Sequence, residues 1–284
     1  MIAELRVPRS QFRLRRFAQY AVLVVGAVLM LLPFEWMVVA SLMAAPEIMT
    51  RPLVWLPAVP QFENYARLAQ AIPLDRMYVN SLVVTAATTL GILMSSSLAG
   101  YGFAKFQFPG RDVLFLLVLS TMMIPFFVLM IPVFYLISQL GWVDTYQGLI
   151  IPHIVTAFGI FLMRQYMLSL PDELLDAARI DGASEFGIYW RIVLPLVGPA
   201  LGALAILAFV YHWNSFLWPL IVIRSNELAT IPIGLKSLIV YASQPEVINL
   251  QMAGATVAIV PVVLVFVVLQ RWFVQGIALT GLKG

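Results

Sequence analysis

The chain has 284 residues, 62% of them hydrophobic and 11% charged, against roughly 25% charged residues in a soluble domain, which excludes an ordinary soluble enzyme. Its 17 Lys and Arg outnumber 14 Asp and Glu for a net charge of +3. Cysteine is absent, which removes disulfides, thiolate metal sites and cysteine nucleophiles.

A basic tail with Arg13, Arg15 and Arg16 precedes an apolar run over residues 17–44. That run exceeds the roughly 7–15 apolar residues of a cleaved leader and is long enough to cross a hydrocarbon core, so it is expected to be an uncleaved signal anchor. Pro46, Pro52, Pro57, Pro60 and Pro73 punctuate residues 45–76; because proline interrupts helices, this stretch is expected not to continue the first helix and to be an external loop over the pore mouth. Five further charge-free stretches follow at 77–104, 113–143, 145–163, 192–223 and 247–270. Each holds the roughly 20 residues of helix that a bilayer requires. The expectation is an all-α polytopic fold of six transmembrane helices: a basic tail 1–16, a first span 17–44, a loop 45–76, a five-helix core 77–275 with two short helices at 171–195, and a tail 276–284.

Six spans place both termini on one side, and Lys and Arg decide which, because cytoplasmic loops retain them. With the N-terminus inside, Arg6, Arg9, Arg13, Arg15, Arg16, Lys105, Arg111, Arg164, Arg179, Arg191, Arg271 and Lys283 are cytoplasmic, leaving Arg51, Arg67, Arg76, Arg224 and Lys236 outside. The acidic residues split evenly, so the asymmetry is basic, as the rule requires. These cations form no single face, so no nucleic acid is expected as a partner. Membrane lipid is.

The cytoplasmic segment 164–191 reads as two short helices. Pro171 sets a first turn in which Asp172 and Glu173 favour the positive end of the helix dipole. Leu174, Leu175 and Ala178 share a face. Asp181-Gly182 stops this helix, Ser184 caps a second through Phe186 and Trp190, and Pro195 opens the fifth span. The result is an L-shaped knob, although a plain solvated loop would have similar composition. The residues Asp176-Ala177-Ala178-Arg179-Ile180-Asp181-Gly182-Ala183, followed by Ile192-Val193-Leu194-Pro195, go further.

This run resembles the Glu-Ala-Ala loop of ABC importer permeases. Asn80-Ser81, Tyr101-Gly102-Phe103-Ala104, Trp213-Asn214-Ser215-Phe216-Leu217-Trp218-Pro219 and the segment 276–284 extend the resemblance to the permeases of carbohydrate-uptake systems. It implies a six-helix subunit in the bacterial or archaeal inner membrane, forming with a second permease the path for a sugar or a related polyol or glycerol phosphate. The implied partners are a second related permease, two ATP-binding cassette ATPases and an extracytoplasmic solute-binding protein. It also implies that ATP and Mg2+ belong to the ATPases, with no cofactor or metal on this chain. Asp176, Ala177, Ala178, Asp181, Gly182, Ala183, Leu194 and Pro195 would be the coupling residues. The family usually carries Glu where this chain has Asp176, one methylene shorter, and a contact to a partner Arg is expected to survive the change.

Tyr211, Asn214, Ser215 and Trp218 follow the spacing i, i+3, i+4 and i+7 and are expected on one face of the fifth span, with Pro219 kinking it. Aromatics beside amide and hydroxyl groups suit a sugar path; helix packing near an interfacial aromatic belt explains the same stripe. Glu35, in the outer half of the first span, either faces water or a partner, or snorkels to the interface. His153 and His212 lie in different spans without a carboxylate cluster and make no metal site. There is no G-x-x-x-x-G-K-[ST] phosphate loop. Nor is there a catalytic constellation, so the chain reads as a transport subunit and not an enzyme. A secondary transporter or channel for a small polar solute is the alternative, but apart from Glu35 the spans carry no Asp, Glu, Lys or Arg from which to build an ion-coupling relay.

Overall fold

The computed structural model describes residues 9–240 and 247–280. Arg6, Glu246 and Lys283, with the rest of 1–8, 241–246 and 281–284, lie outside the described residues. Among the described residues the chain is helical, with no strand. Helix α1 spans Arg9–Ser41, followed by α2 (Ala45–Ile48) and α3 (Glu63–Ala71). The prolines of 45–76 therefore do not keep that segment free of helix. Pro46 occupies the first turn of α2, where a missing N–H costs nothing. The proline-free α3 buries Asn64 and Leu68 on one side.

Helix α4 (Leu74–Lys105) and helix α15 (Ile248–Thr280) are long and continuous. With α1, they supply the three single helices long and apolar enough to cross a membrane, over Arg16–Ser41, Leu74–Lys105 and Ile248–Trp272. The other three expected spans are bent pairs, not straight helices. Helices α5 (Arg111–Thr121) and α6 (Phe126–Gln139) meet at 97°. Helix α7 (Tyr146–Ile150), continued by a 3-10 turn to His153, meets α8 (Ala157–Met167) at 44°. After α9 (Asp172–Ile180) comes α10 (Glu185–Ile188), run on by a π turn (Tyr189–Val193) into α11 (Leu194–Leu196), and this composite meets α12 (Gly198–Trp213) at 76°. By length and composition, counting each bent pair once gives up to six spans, with the α10–α11 arm of the third pair belonging to the knob at 171–196. Helices α13 (Leu217–Val222) and α14 (Ile231–Val240) complete the order.

Local chemistry places the bends. Pro125 removes a backbone donor and disfavours helical geometry at Ile124. Thr156 is extended and its hydroxyl accepts from the Gly159 amide at 3.1 Å, starting α8 afresh. Pro195 does not open the fifth span: it sits inside α11, and the chain absorbs it by widening to the π turn, in which the Leu194 amide donates to the Tyr189 carbonyl. The break comes at Val197, with proline again in the first turn of the following helix.

Contacts divide the chain into two units, residues 1–71 with 238–257 and residues 72–237 with 258–284. In the first, Asn64 Nδ2 donates to the Ser41 and Met43 carbonyls and Asn64 Oδ1 accepts from Asn249, while α1 leaves Phe17, Leu23, Met30 and Leu31 exposed. In the second, α4 is the mast, packing along α8 and α12. Small residues permit that approach. A Cβ on Gly100 would lie 2.7 Å from Met163 Cβ, and one on Gly159 would overlap Ser96 Oγ. Near the other end of α4, Asn80 donates to the Glu227 and Ala229 carbonyls and accepts from the Tyr146 hydroxyl at 2.6 Å. Ser81 Oγ accepts from the Ile231 amide, so the buried side chains of Asn80 and Ser81 are satisfied by long-range partners.

Candidate functional site

The knob at 171–196 is built from capping chemistry. Pro171 precedes α9 and Asp172 and Glu173 fill its first turn. At the other end Gly182 has φ +81°. Its amide donates to the Arg179 carbonyl at 3.0 Å while the Ala183 amide donates to the Ala178 carbonyl at 3.0 Å. This pair of bonds is the Schellman stop, which requires a left-handed residue at that position. Ser184 Oγ then accepts from the Gly187 amide and starts α10.

Arg179 clamps the two arms. It donates to Asp176 Oδ1 at 2.7 Å and to Glu185 Oε1 at 2.7 Å and Oε2 at 3.3 Å. The guanidinium holds the Glu185 carboxyl below its ordinary range, and Glu185, then Asp176, raise the Arg179 pKa. Asp176 is thus engaged within the chain. The expected face of Leu174, Leu175 and Ala178 is divided: Leu175 is buried and Ala178 half-buried against the core, whereas Leu174 points to solvent. Asp176, Ala177, Asp181, Gly182, Ala183 and Pro195 are exposed and Leu194 is partly buried. Ile180 is 86% and Phe186 65% exposed. The knob thus offers small and apolar side chains on a rigid, capped frame.

The path residues are not one helical stripe. Helix α12 ends at Trp213, Asn214 donates back to the Val210 carbonyl, and α13 restarts at Leu217. The helix therefore breaks ahead of Pro219, which lies within α13. Trp218 is buried and donates its indole N–H to the Gly148 carbonyl, while Tyr211 and Asn214 are exposed. The break nevertheless brings all four to one groove of about 410 Å³, with Phe126, His153 and Phe216 also on its wall. The two histidines are not separated: their rings face one another at 5.3 Å, with His153 between Phe126 and Trp218. Among the described residues no group of three or more His, Cys, Asp or Glu is placed to hold a metal. Glu35 lies on the exposed surface of α1, within its apolar span.

Several interacting residues were not visible as such in the sequence. Ser97, Tyr101 and Lys105, spaced by four along α4, reach Tyr189, Glu185 and Asp172 of the knob. Their common face is legible; their partners, 67 to 92 positions away, are not. The histidine pair is hidden in the same way.

Residues 87–279 match the family described as the binding-protein-dependent transport system inner membrane component. The chain is 41% identical over 278 residues to the arabinooligosaccharides transport system permease protein AraQ of Bacillus subtilis (strain 168), covering 96% of this chain and 98% of the relative. It is 34% identical over 264 residues to the sn-glycerol-3-phosphate transport system permease protein UgpE of Yersinia pestis, covering 91% and 94%. A solved bacterial ABC transporter involved in the import of the acidic polysaccharide alginate contains a similar chain, with TM-score 0.81, 26% identity and coverage of 94% of this chain and 99% of that one.

Proposed function

The chain belongs to the binding-protein-dependent transport system inner membrane component family, and from that premise we propose that it carries a neutral carbohydrate along a path shared with a second permease and takes its energy through the knob. It is a permease subunit of an ABC importer, a transport component and not an enzyme. In this reading each permease docks on one of two ATPases, which hold ATP and Mg2+, and an extracytoplasmic binding protein delivers the solute. Both termini face the cytoplasm, supported by the bias of Lys and Arg towards that side.

The observation that carries the coupling reading is the knob's outer surface. Ala177, Ile180, Ala183 and Phe186 are each exposed on a clamped element, and apolar groups presented this way suit a partner cleft. The substrate class rests on the groove. Aromatic rings beside an amide and a hydroxyl suit stacking on and hydrogen bonding to a sugar. Among the described residues lining it there is no Lys or Arg, which a phosphomonoester or uronate would want as a partner. The exposed Lys236 ammonium stands 5.6 Å from the centroid of the Phe216 ring.

The test is uptake by the complete importer in proteoliposomes, with a labelled neutral oligosaccharide and glycerol phosphate as competing solutes. The oligosaccharide should be accumulated. Asn214→Leu should lower its uptake about tenfold, the order expected from one or two lost hydrogen bonds, at unchanged yield of complex. Accumulation of glycerol phosphate alone would overturn the substrate class, and wild-type uptake by the variant would return this stripe to helix packing.

A further inference from the structure

Helix α4 carries three polar side chains at intervals of four residues, which places them on one face in successive turns. Each holds a different part of the knob. Lys105 Nζ donates to the Leu170 carbonyl at 2.6 Å and to Asp172 Oδ1 at 2.5 Å, at the start of α9. Tyr101 donates to Glu185 Oε2 at 3.0 Å, in the first turn of α10. Ser97 Oγ pairs with the Tyr189 hydroxyl at 2.7 Å, in the π turn.

The α4 side of these contacts is buried, with the Lys105 side chain 4% exposed and Ser97 and Tyr101 buried, as is Tyr189, whereas the Asp172 and Glu185 carboxylates reach solvent. Lys105 holds the Asp172 carboxyl below its ordinary range. Beyond the knob, α4 runs without internal proline to Ser81 and Thr85, which share a small polar cavity with His153, His212, Ser215 and Trp218. About 16 residues of continuous helix, roughly 24 Å, therefore separate the contacts on the knob from the wall of the path.

We propose that Ser97, Tyr101 and Lys105 are positioning residues that convert displacement of the knob into displacement of α4, and so of the path wall. Without them the knob would remain joined to the core through its chain ends and through apolar packing by Leu175, Ala178, Ile188, Tyr189 and Val193. The polar contacts are directional, so they resist sliding of the knob along α4, whereas apolar packing is non-directional. This inference rests on the knob being the ATPase dock.

The experiment uses the complete importer in proteoliposomes, measuring ATP hydrolysed and solute accumulated in the same sample. Tyr101→Phe keeps the ring that packs against Phe106 and Tyr189 and removes only the hydroxyl. Solute accumulated per ATP should fall about tenfold, the lower end of what one hydrogen bond to a charged acceptor contributes, with the ATPase still co-purifying. Lys105→Met should lower the ratio likewise and Lys105→Arg should restore most of it. An unchanged ratio in both Tyr101→Phe and Lys105→Met would overturn the proposal, as would loss of the ATPase from the Tyr101→Phe complex. Gly182→Val, at a residue that makes none of these contacts, separates the two readings: if it transports normally, the dock is elsewhere, whatever Tyr101→Phe does.

Discussion

Gly182→Val should abolish uptake while leaving the chain in the membrane. The glycine sits at φ +81° with open space where a Cβ would go, so the penalty is conformational and not a clash. For an L-residue the left-handed backbone costs about 1–2 kcal/mol, and branching at Cβ makes it harder still. Escaping that cost means leaving the left-handed region and breaking the bonds from Gly182 to Arg179 and from Ala183 to Ala178. The turn between α9 and α10 would open, and Ala177, Ile180 and Ala183 would no longer be held in one arrangement. Co-purification of the ATPase and uptake should fall together. Gly182→Asn should retain much of both, because asparagine tolerates this conformation. Normal uptake and co-purification in Gly182→Val would contradict the assignment of the dock.

Gly100→Leu should have the largest effect on folding. The close approach of α4 and α8 is fixed by backbone: a Cβ at Gly100 would sit 3.0 Å from the Arg164 amide nitrogen and 3.1 Å from the Met163 carbonyl carbon, so rotamer changes alone cannot make room. Overpacking of this kind costs about 1–3 kcal/mol, and a whole leucine side chain lies at or beyond the upper end. The two helices would be forced apart, carrying Ser96 away from Gly159. Detergent-solubilised variant should show a lowered Tm and an aggregated profile on size exclusion. Gly102→Leu, two residues away, has nothing within 4 Å of its Cβ and should behave as wild type. Equal Tm for Gly100→Leu and wild type would show that this crossing is not tight.

The knob was legible because its determinants are local: a proline before a helix, carboxylates in its first turn, a glycine where the chain must reverse, and a serine cap at 184. Each acts within four residues, the range over which side-chain capping operates. The bends at Pro125, Thr156 and Val197 are not legible in the sequence, and the kink expected at Pro219 falls at Asn214, because hydropathy registers apolar length and not helix direction. Pro125 marks a bend whereas Pro132 lies within α6 and Pro195 within α11, so proline alone did not separate the cases. The groove illustrates the same limit. The residues Tyr211, Asn214, Ser215 and Trp218 do converge, but through a broken helix, not through the single helical face that the i, i+3, i+4, i+7 spacing predicts. The histidine pair and the contacts from α4 to the knob depend on tertiary packing that no short window contains.

The absence of cysteine gives a direct test of the docking claim, because a single introduced thiol is unique in this chain. Ala183→Cys, labelled with a photo-activated cross-linker in the assembled importer, places the probe on the exposed surface of the knob. Asn226→Cys, in the segment assigned to the outside, is the reference. Cross-linked peptides identified by mass spectrometry should come from the ATPase subunit for residue 183 and not for residue 226. Failure of residue 183 to reach the ATPase in an importer that transports, or equal capture of the ATPase from residue 226, would contradict the account.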